Sequence, residues 1–148
     1  MATSRSSPAD RGKSAEAQVQ KWLEAKSASC LEFAYHRYPD SRSARGVIAS
    51  QPADFEVAHH PFAYNLEVKE TANAHRLPRS KISQWATLRK FHIAGKQAYV
   101  LVHRTASNDW VILDGAALFN HEEAPASFPL SNRPWFPSAA AALESIFP

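Results

Sequence analysis

The sequence contains a single cysteine, Cys30, among its 148 residues, so no disulfide bond can form within the chain. A lone cysteine is typical of proteins kept in a reducing compartment, and we expect the cytoplasm. The four glycines form no Gly-rich phosphate-binding loop, and there is neither a cysteine cluster nor a Ser/His/Asp order. These absences weaken the case for a nucleotide-binding protein, a triad hydrolase or a zinc protein.

Long apolar runs are missing as well. No segment approaches the roughly 20 apolar residues that span a bilayer, so we expect no membrane association. The first residues are rich in Ser and Arg and lack the apolar core of a secretory signal. We therefore predict a flexible basic arm over residues 1–12. A single domain then covers residues 13–148, with a Pro-rich extension from about residue 120.

Charge is distributed unevenly along the chain. Residues 1–104 hold 16 Lys and Arg against nine Asp and Glu, a net charge of +7, whereas residues 105–148 have a net charge of −4. A polyanionic partner would explain a basic excess in the first two thirds of the protein, because lysines and arginines neutralise phosphates.

The hydrophobic pattern predicts both helices and strands. Apolar residues recur at helical spacing over about 13–27 and again over about 80–93. Alternating or continuous apolar segments predict strands over 31–37, 53–58, 63–70, 97–103 and 109–114. A short helix near 116–119 and a terminal helix over 139–146 complete the list. The order predicts an α/β fold with a mixed central sheet flanked by helices.

The most informative motif spans two of these strands. Asp54 begins one strand, and Glu67 and Lys69 lie on the next, separated by a His-Pro turn. Residues two apart on a strand share a face, so Glu67 and Lys69 point the same way while Leu66 and Val68 point into a core. Antiparallel pairing through the turn would bring Asp54 beside Glu67.

Two carboxylates and an ammonium group at one spot can bind a hard divalent cation next to a phosphate. Asp54 and Glu67 would hold Mg²⁺ (or Mn²⁺), and the backbone carbonyl of Val68 could add a ligand. The metal would lower the pKa of a bound water, and Lys69 would orient that water and stabilise the phosphate oxygens. The same pattern also fits the polar face of a solvated hairpin, and that alternative stays open.

Other residues could complete such a site. Glu16 borders the apolar stripe of the first helix, where a solvated surface glutamate is equally consistent with the periodicity. Gln84 on the second helix could reach a metal-bound water or a phosphate. Basic residues that we predict to contact nucleic-acid phosphates are Arg11, Lys13, Arg42, Arg45, Arg76, Arg79 and Lys81.

These motifs together resemble the PD-(D/E)xK nuclease superfamily, whose core is restriction-endonuclease-like, and within it RecU-type and phage Holliday-junction resolvases. The resemblance runs over about residues 11–115. It is carried by Arg11-Gly12-Lys13 at the start of the helix with Glu16, by Ala53-Asp54-Phe55, by Glu67-Val68-Lys69-Glu70-Thr71, and by Leu77-Pro78 before Gln84. The proline stands two residues before Asp54 instead of next to it.

The resemblance implies specific roles. Asp54 and Glu67 become metal ligands, Lys69 the catalytic lysine, and Glu16 the helix glutamate that completes the cluster. It further implies a homodimer in a bacterial or phage-infected cell that cuts two opposed strands of a four-way DNA junction. Two alternatives are a restriction- or repair-type nuclease that cuts duplex DNA and a non-catalytic nucleic-acid-binding module.

Overall fold

In a computed structural model of the protein, the described residues are 8–39, 51–120 and 122–148, with side chains described from Ser14 onward. Helical spacing of apolar residues produces the longest element, a helix whose Ala15, Val19 and Leu23 are fully buried. The four helices are α1 (Pro8–Ser29), α2 (Trp85–Ile93), α3 (Gly115–Phe119) and α4 (Ala139–Ile146). Within the described residues, no helix is long and apolar enough to cross a membrane.

The described residues also contain eight strands. They are β1 (Phe33–Arg37), β2 (Phe55–His59), β3 (Phe62–Thr71), β4 (Arg76–Pro78), β5 (Gln97–Arg104), β6 (Asp109–Leu113), β7 (Ser127–Pro129) and β8 (Trp135–Phe136). Six of them form one sheet in the order β1-β2-β3-β5-β6-β8, and β4 pairs with β7 separately. Only β3 and β5 are parallel within the large sheet. The predicted mixed α/β fold is therefore confirmed.

Each face of the large sheet is covered by its own apolar core. Leu66 and Val68 of β3 pack into the first core together with residues of α1 and α4. Val100 and Val102 of β5 belong to the second core, which includes Leu88 of α2. Glu67 and Lys69 pair with Val100 and Val102 across the parallel ladder, so they share the face covered by α2. The acid-x-Lys motif therefore lies on the face of the sheet that carries the second core, and Glu67 is buried there.

Several boundaries differ from the sequence expectations. Helix α1 already begins at Pro8, inside the segment predicted to be a flexible arm. The second helix begins only at Trp85, after a 3₁₀ turn over Arg79–Lys81. The predicted end of that helix is confirmed, because Gly95 has a φ of 108°, the left-handed conformation that glycine adopts at low cost.

The Pro-rich segment is part of the fold. Strand β7 pairs with β4, and β8 pairs with β6 at the edge of the large sheet. Helix α4 buries Ala139, Ala142 and Leu143 in the first core. The sequence pattern predicted this terminal helix but neither of the short strands. The last thirty residues contribute buried side chains to both cores.

Candidate active site

Asp54 lies directly before β2 and continues the hydrogen bonding to β3 beyond the end of the strand. Its N–H donates to the Leu66 carbonyl at 3.1 Å, and its Oδ2 accepts the Val68 N–H at 2.7 Å. The last β2–β3 pair is Phe55 with Leu66, so Asp54 stands opposite Glu67 at the next step of the register. The carboxylate thus satisfies a strand N–H that has no ladder partner and is held in place by it.

Glu67 and Lys69 form an ion pair on the same face of β3. The distance from Lys69 Nζ to Glu67 Oε1 is 3.1 Å, and the side chain of Glu67 is only 9% exposed against 25% for that of Lys69. A buried carboxylate of this kind is rare without a charged partner. Lys69 supplies that partner, and its side chain is still partly exposed to solvent.

Glu67 has an unusual proton affinity. Burial and the negative charge of Asp54, partly offset by Lys69, raise its pKa from the ordinary 4.5 to about 8. A hydrogen bond between the two carboxyl groups contributes in the same direction. Two carboxylates that share a hydrogen bond repel each other when both are ionised, and a bound cation would relieve that repulsion.

This donor set fits a magnesium or manganese ion. Asp54 and Glu67 provide two oxygen ligands, and Mg²⁺ commonly binds one or two carboxylates and keeps several waters. The N–H and C=O of a strand residue lie on the same edge, so the Val68 carbonyl is directed to the side of β3 where Asp54 lies. No described group of three or more Asp, Glu, His or Cys side chains is arranged to hold a metal. Any site here rests on the Asp54–Glu67 pair.

The raised pKa of Glu67 predicts a pH-dependent stability. Below about pH 4.5 the carboxyl is protonated in both folded and unfolded chains. As the pH rises to about 8, only the unfolded chain loses the proton, so the free energy of unfolding decreases. We expect the Tm of the protein in EDTA to fall over this range by at least about 3 °C, the effect of about 1 kcal/mol in a domain of this size.

Calorimetry of the Glu67→Gln variant provides the matched test. Glutamine cannot ionise, so we expect a flatter dependence of Tm on pH, while exposed Glu24→Gln on α1 should behave as the wild type. A wild-type Tm that is constant from pH 5 to pH 8 would contradict the assignment of a raised pKa to Glu67.

Glu16 forms an ion pair with a basic residue of the neighbouring strand. Its Oε1 lies 3.0 Å from Arg37 Nη2 at the end of β1. Helix α1 packs on the first core, on the opposite face of the sheet from Glu67. The role of Glu16 as a third carboxylate remains a prediction.

Gln84 was predicted within the second helix, and it lies directly before that helix begins. It is the residue that precedes the first turn of α2, and its Oε1 accepts a hydrogen bond from Thr87 Oγ1 at 3.4 Å. Helix α2 covers the same face of the sheet as Glu67. Its proposed contact with a phosphate or water remains untested.

The predicted phosphate-binding residues have mixed surroundings. Arg76 Nη1 donates to Ser127 Oγ at 2.9 Å. Arg79 Nε donates to the Pro125 carbonyl at 2.8 Å, and its guanidinium lies 5.5 Å from the ring centre of Trp85. Both arginines therefore bind residues 125–127 of the C-terminal segment. Lys81 is exposed. Arg42 and Arg45 lie outside the described residues, as do the side chains of Arg11 and Lys13.

Sequence reasoning missed a polar cluster beside the acidic pair, formed by Tyr38, Glu56, Asn65 and Lys96. One signal was available, since Asn65 is two residues before Glu67 and must share its face. Glu56, two residues after Asp54, shares the face of Asp54 for the same reason. Tyr38 and Lys96 come from distant parts of the chain, and only the fold brings them to the hairpin.

Comparisons with known proteins add little to this geometry. No family model matches the sequence, and no curated protein does. One solved structure with a similar fold is Hjc, a Holliday junction resolvase from the archaeal hyperthermophile Archaeoglobus fulgidus. The two share 16% sequence identity at a TM-score of 0.49, over 90% of this chain and 88% of that one. At these values the likeness says nothing of the activity of this chain.

Proposed function

We propose that this protein is a metal-dependent endodeoxyribonuclease of the PD-(D/E)xK type. The observation that supports this most strongly is the contact between the carboxyl groups of Asp54 and Glu67, with Lys69 Nζ 3.1 Å from Glu67. These are the three residues that the motif resemblance selects. The buried carboxyl group of Glu67, with its raised pKa, lies against a second carboxyl group and a partly exposed lysine. A divalent cation would offset the repulsion between the two carboxylates.

The chain's own residues have distinct tasks in this proposal. Asp54 and Glu67, with the Val68 carbonyl, would hold Mg²⁺ or Mn²⁺, which supplies Lewis-acid polarisation of the phosphate and a water of lowered pKa. Lys69 donates hydrogen bonds to the attacking water and to the phosphate oxygens as their negative charge increases. Since Asp54 is fixed by the Val68 N–H, its carboxylate needs no rearrangement to bind the cation.

The narrower proposal is a Holliday-junction resolvase of RecU or phage type, with branched DNA as its substrate. It rests on the motif resemblance over residues 11–115, and the archaeal source of the similar structure gives the RecU or phage assignment no support. Such an enzyme would act where recombining DNA is found, in the bacterial or phage-infected cytoplasm, and would leave 5′-phosphates and 3′-hydroxyls.

Cleavage of different DNA forms tests which substrate the protein prefers. Purified protein with Mg²⁺ is incubated with a labelled four-way junction, a duplex of matched sequence and a single strand. Paired symmetric nicks on the junction alone are expected of a resolvase. Preferential cutting of the duplex would indicate a restriction- or repair-type nuclease instead. Binding without cleavage, unaffected by metal, would indicate a non-catalytic module.

Lys81 provides the sharpest test of the basic surface. Its side chain is exposed next to α2, so Lys81→Gln should leave the fold unchanged. If Lys81 contacts a phosphate, the slope of log K against log salt for DNA binding should decrease by about 1. Glu123→Gln, an exposed change in the acidic part of the chain, serves as the control. A slope that Lys81→Gln leaves unchanged would remove Lys81 from the DNA interface.

We also propose a homodimer, as the resemblance implies, because two sites are needed to cut two opposed strands. Helix α2 exposes Phe91 and Ile93, which are 41% and 68% exposed in the single chain. Light scattering of the purified protein tests the dimer, and a monomeric mass at micromolar concentration would contradict it.

A further inference from the structure

The cluster of Tyr38, Glu56, Asn65 and Lys96 lies one step along the sheet from the acidic pair. Glu56 stands opposite Asn65 in the β2–β3 register, as Asp54 stands opposite Glu67. The Tyr38 hydroxyl lies 3.3 Å from Glu56 Oε2 and 3.2 Å from Asn65 Oδ1. Lys96 Nζ lies 3.2 Å from that hydroxyl and 3.1 Å from Glu56 Oε1. The hydroxyl is thus the centre of the cluster.

Lys96 is brought to the cluster by the turn that ends α2. Its N–H donates to the Phe91 carbonyl at 2.9 Å, and the Gly95 N–H donates to the His92 carbonyl at 3.1 Å. These are the two bonds of a Schellman motif, which fixes the chain direction beyond the helix. The Lys96 side chain is only 17% exposed. Its ammonium group is therefore held between α2 and the sheet and not left to move in solvent.

Tyr38 connects this cluster to Asp54 through its backbone. The Tyr38 N–H donates to the Asp54 carbonyl at 2.9 Å, and Asp54 in turn donates its N–H to Leu66. Asp54 is outside the regular β2 ladder, so these bonds replace strand pairing at this point. A residue whose hydroxyl is anchored on β2, β3 and the α2–β5 turn thereby determines where the Asp54 backbone lies.

Stability alone does not account for the cluster. Asn65 is completely buried, and its Nδ2 has no hydrogen-bond partner among the described residues. An unsatisfied buried donor destabilises the folded state. The Lys96–Glu56 ion pair is partly in solvent, since the Glu56 side chain is 43% exposed, and ion pairs of this kind stabilise a fold little. Polar groups kept in such a place are better explained by a role in the neighbouring site.

We infer that Tyr38, anchored by Glu56, Asn65 and Lys96, is a positioning residue that holds the Asp54 carboxylate in register with Glu67 for binding a divalent cation. The inference rests on the proposed metal-dependent function. Tyr38 does not contact the substrate in this arrangement, and Lys96 takes no part in the chemistry.

Calorimetric titration of the full-length protein with Mn²⁺, without DNA, tests this inference. In Tyr38→Phe the ring and the backbone bond to Asp54 remain, but the anchor is lost. We expect the affinity for Mn²⁺ to fall by up to about tenfold, the lower end of the effect that outer-shell partners of metal ligands have, because the hydroxyl acts on Asp54 only through the backbone. Lys96→Met should act in the same direction, whereas Lys96→Arg should restore part of the affinity. The matched control is Tyr99→Phe, whose ring packs on the first core.

The readout separates positioning from folding. All titrations are made well below the Tm of each variant, measured without metal. Unchanged affinity in a folded Tyr38→Phe variant would overturn the inference, as would an equal loss in Tyr99→Phe. A wild type that binds Mn²⁺ but cuts no DNA would refute the nuclease activity and leave the positioning role intact. A wild type without metal binding would overturn both.

Discussion

Asp54→Asn is expected to reduce DNA cleavage by about 100- to 1,000-fold, because a bound metal contributes several kcal/mol to the transition state. The asparagine side chain has nearly the same shape, and its amide oxygen can still accept the Val68 N–H that Asp54 accepts at 2.7 Å. The variant should therefore fold, and it should bind DNA as tightly as the wild type because the basic surface is unchanged. Single-turnover cleavage and fluorescence anisotropy measure the two properties separately.

The variant has a second consequence that concerns Glu67. The charge of Asp54 is one of the causes of the raised pKa of Glu67, so Asp54→Asn should lower that pKa toward its ordinary value. Glu24→Gln, which removes an exposed carboxylate on α1, is the control and should cut DNA normally. Full activity in Asp54→Asn would exclude Asp54 as a metal ligand and with it the proposed site.

Lys69→Met is expected to decrease turnover at saturating metal by about 100- to 1,000-fold, as the loss of one preorganised donor to a developing negative charge does in other enzymes. Methionine preserves the unbranched shape and removes the ammonium group. At a pH above the pKa of Glu67, metal affinity should change much less, since Lys69 is not a ligand. A titration of cleavage rate with Mg²⁺ separates the maximal rate from the metal concentration at half-maximal rate.

The pH dependence of the same variant supplies an independent signature. Lys69 opposes the rise in the pKa of Glu67, so its loss should raise that pKa further and move metal activation to higher pH. The exposed Lys90→Met on α2 is the control for loss of a positive charge. A variant that loses metal affinity and turnover to the same extent would make Lys69 a structural partner of Glu67 and not a catalytic residue.

The elements with a strong local pattern could be predicted from the sequence. The apolar spacing of α1 and the alternation in β2 and β3 gave the correct secondary structure, because burial on one face specifies each pattern. Strands β4, β7 and β8 are only two or three residues long and are formed by pairing with distant segments. A periodic signal cannot arise in so few residues, so tertiary contacts alone determine them.

In the candidate site, too, local pattern predicted some features and tertiary contacts determined the others. The hairpin register and the period of two were sufficient to predict that Asp54, Glu67 and Lys69 converge. The sequence could not show that Glu67 is buried, since burial depends on which parts of the chain pack on this face of the sheet. It also could not relate Tyr38 to Lys96, which are 58 positions apart. The position of Glu16 beside Arg37 depends on how α1 packs, which its own stripe does not determine.

The most direct test of a metal-dependent nuclease is cleavage of a labelled four-way junction by the purified wild-type protein in Mg²⁺, in Mn²⁺ and in EDTA. A DNA ligase then reports on the product ends. Our account predicts cleavage only with metal, and nicks that the ligase can reseal because they carry 5′-phosphates and 3′-hydroxyls. A folded protein that cuts no DNA with either metal, or that cuts equally well in EDTA, would contradict it.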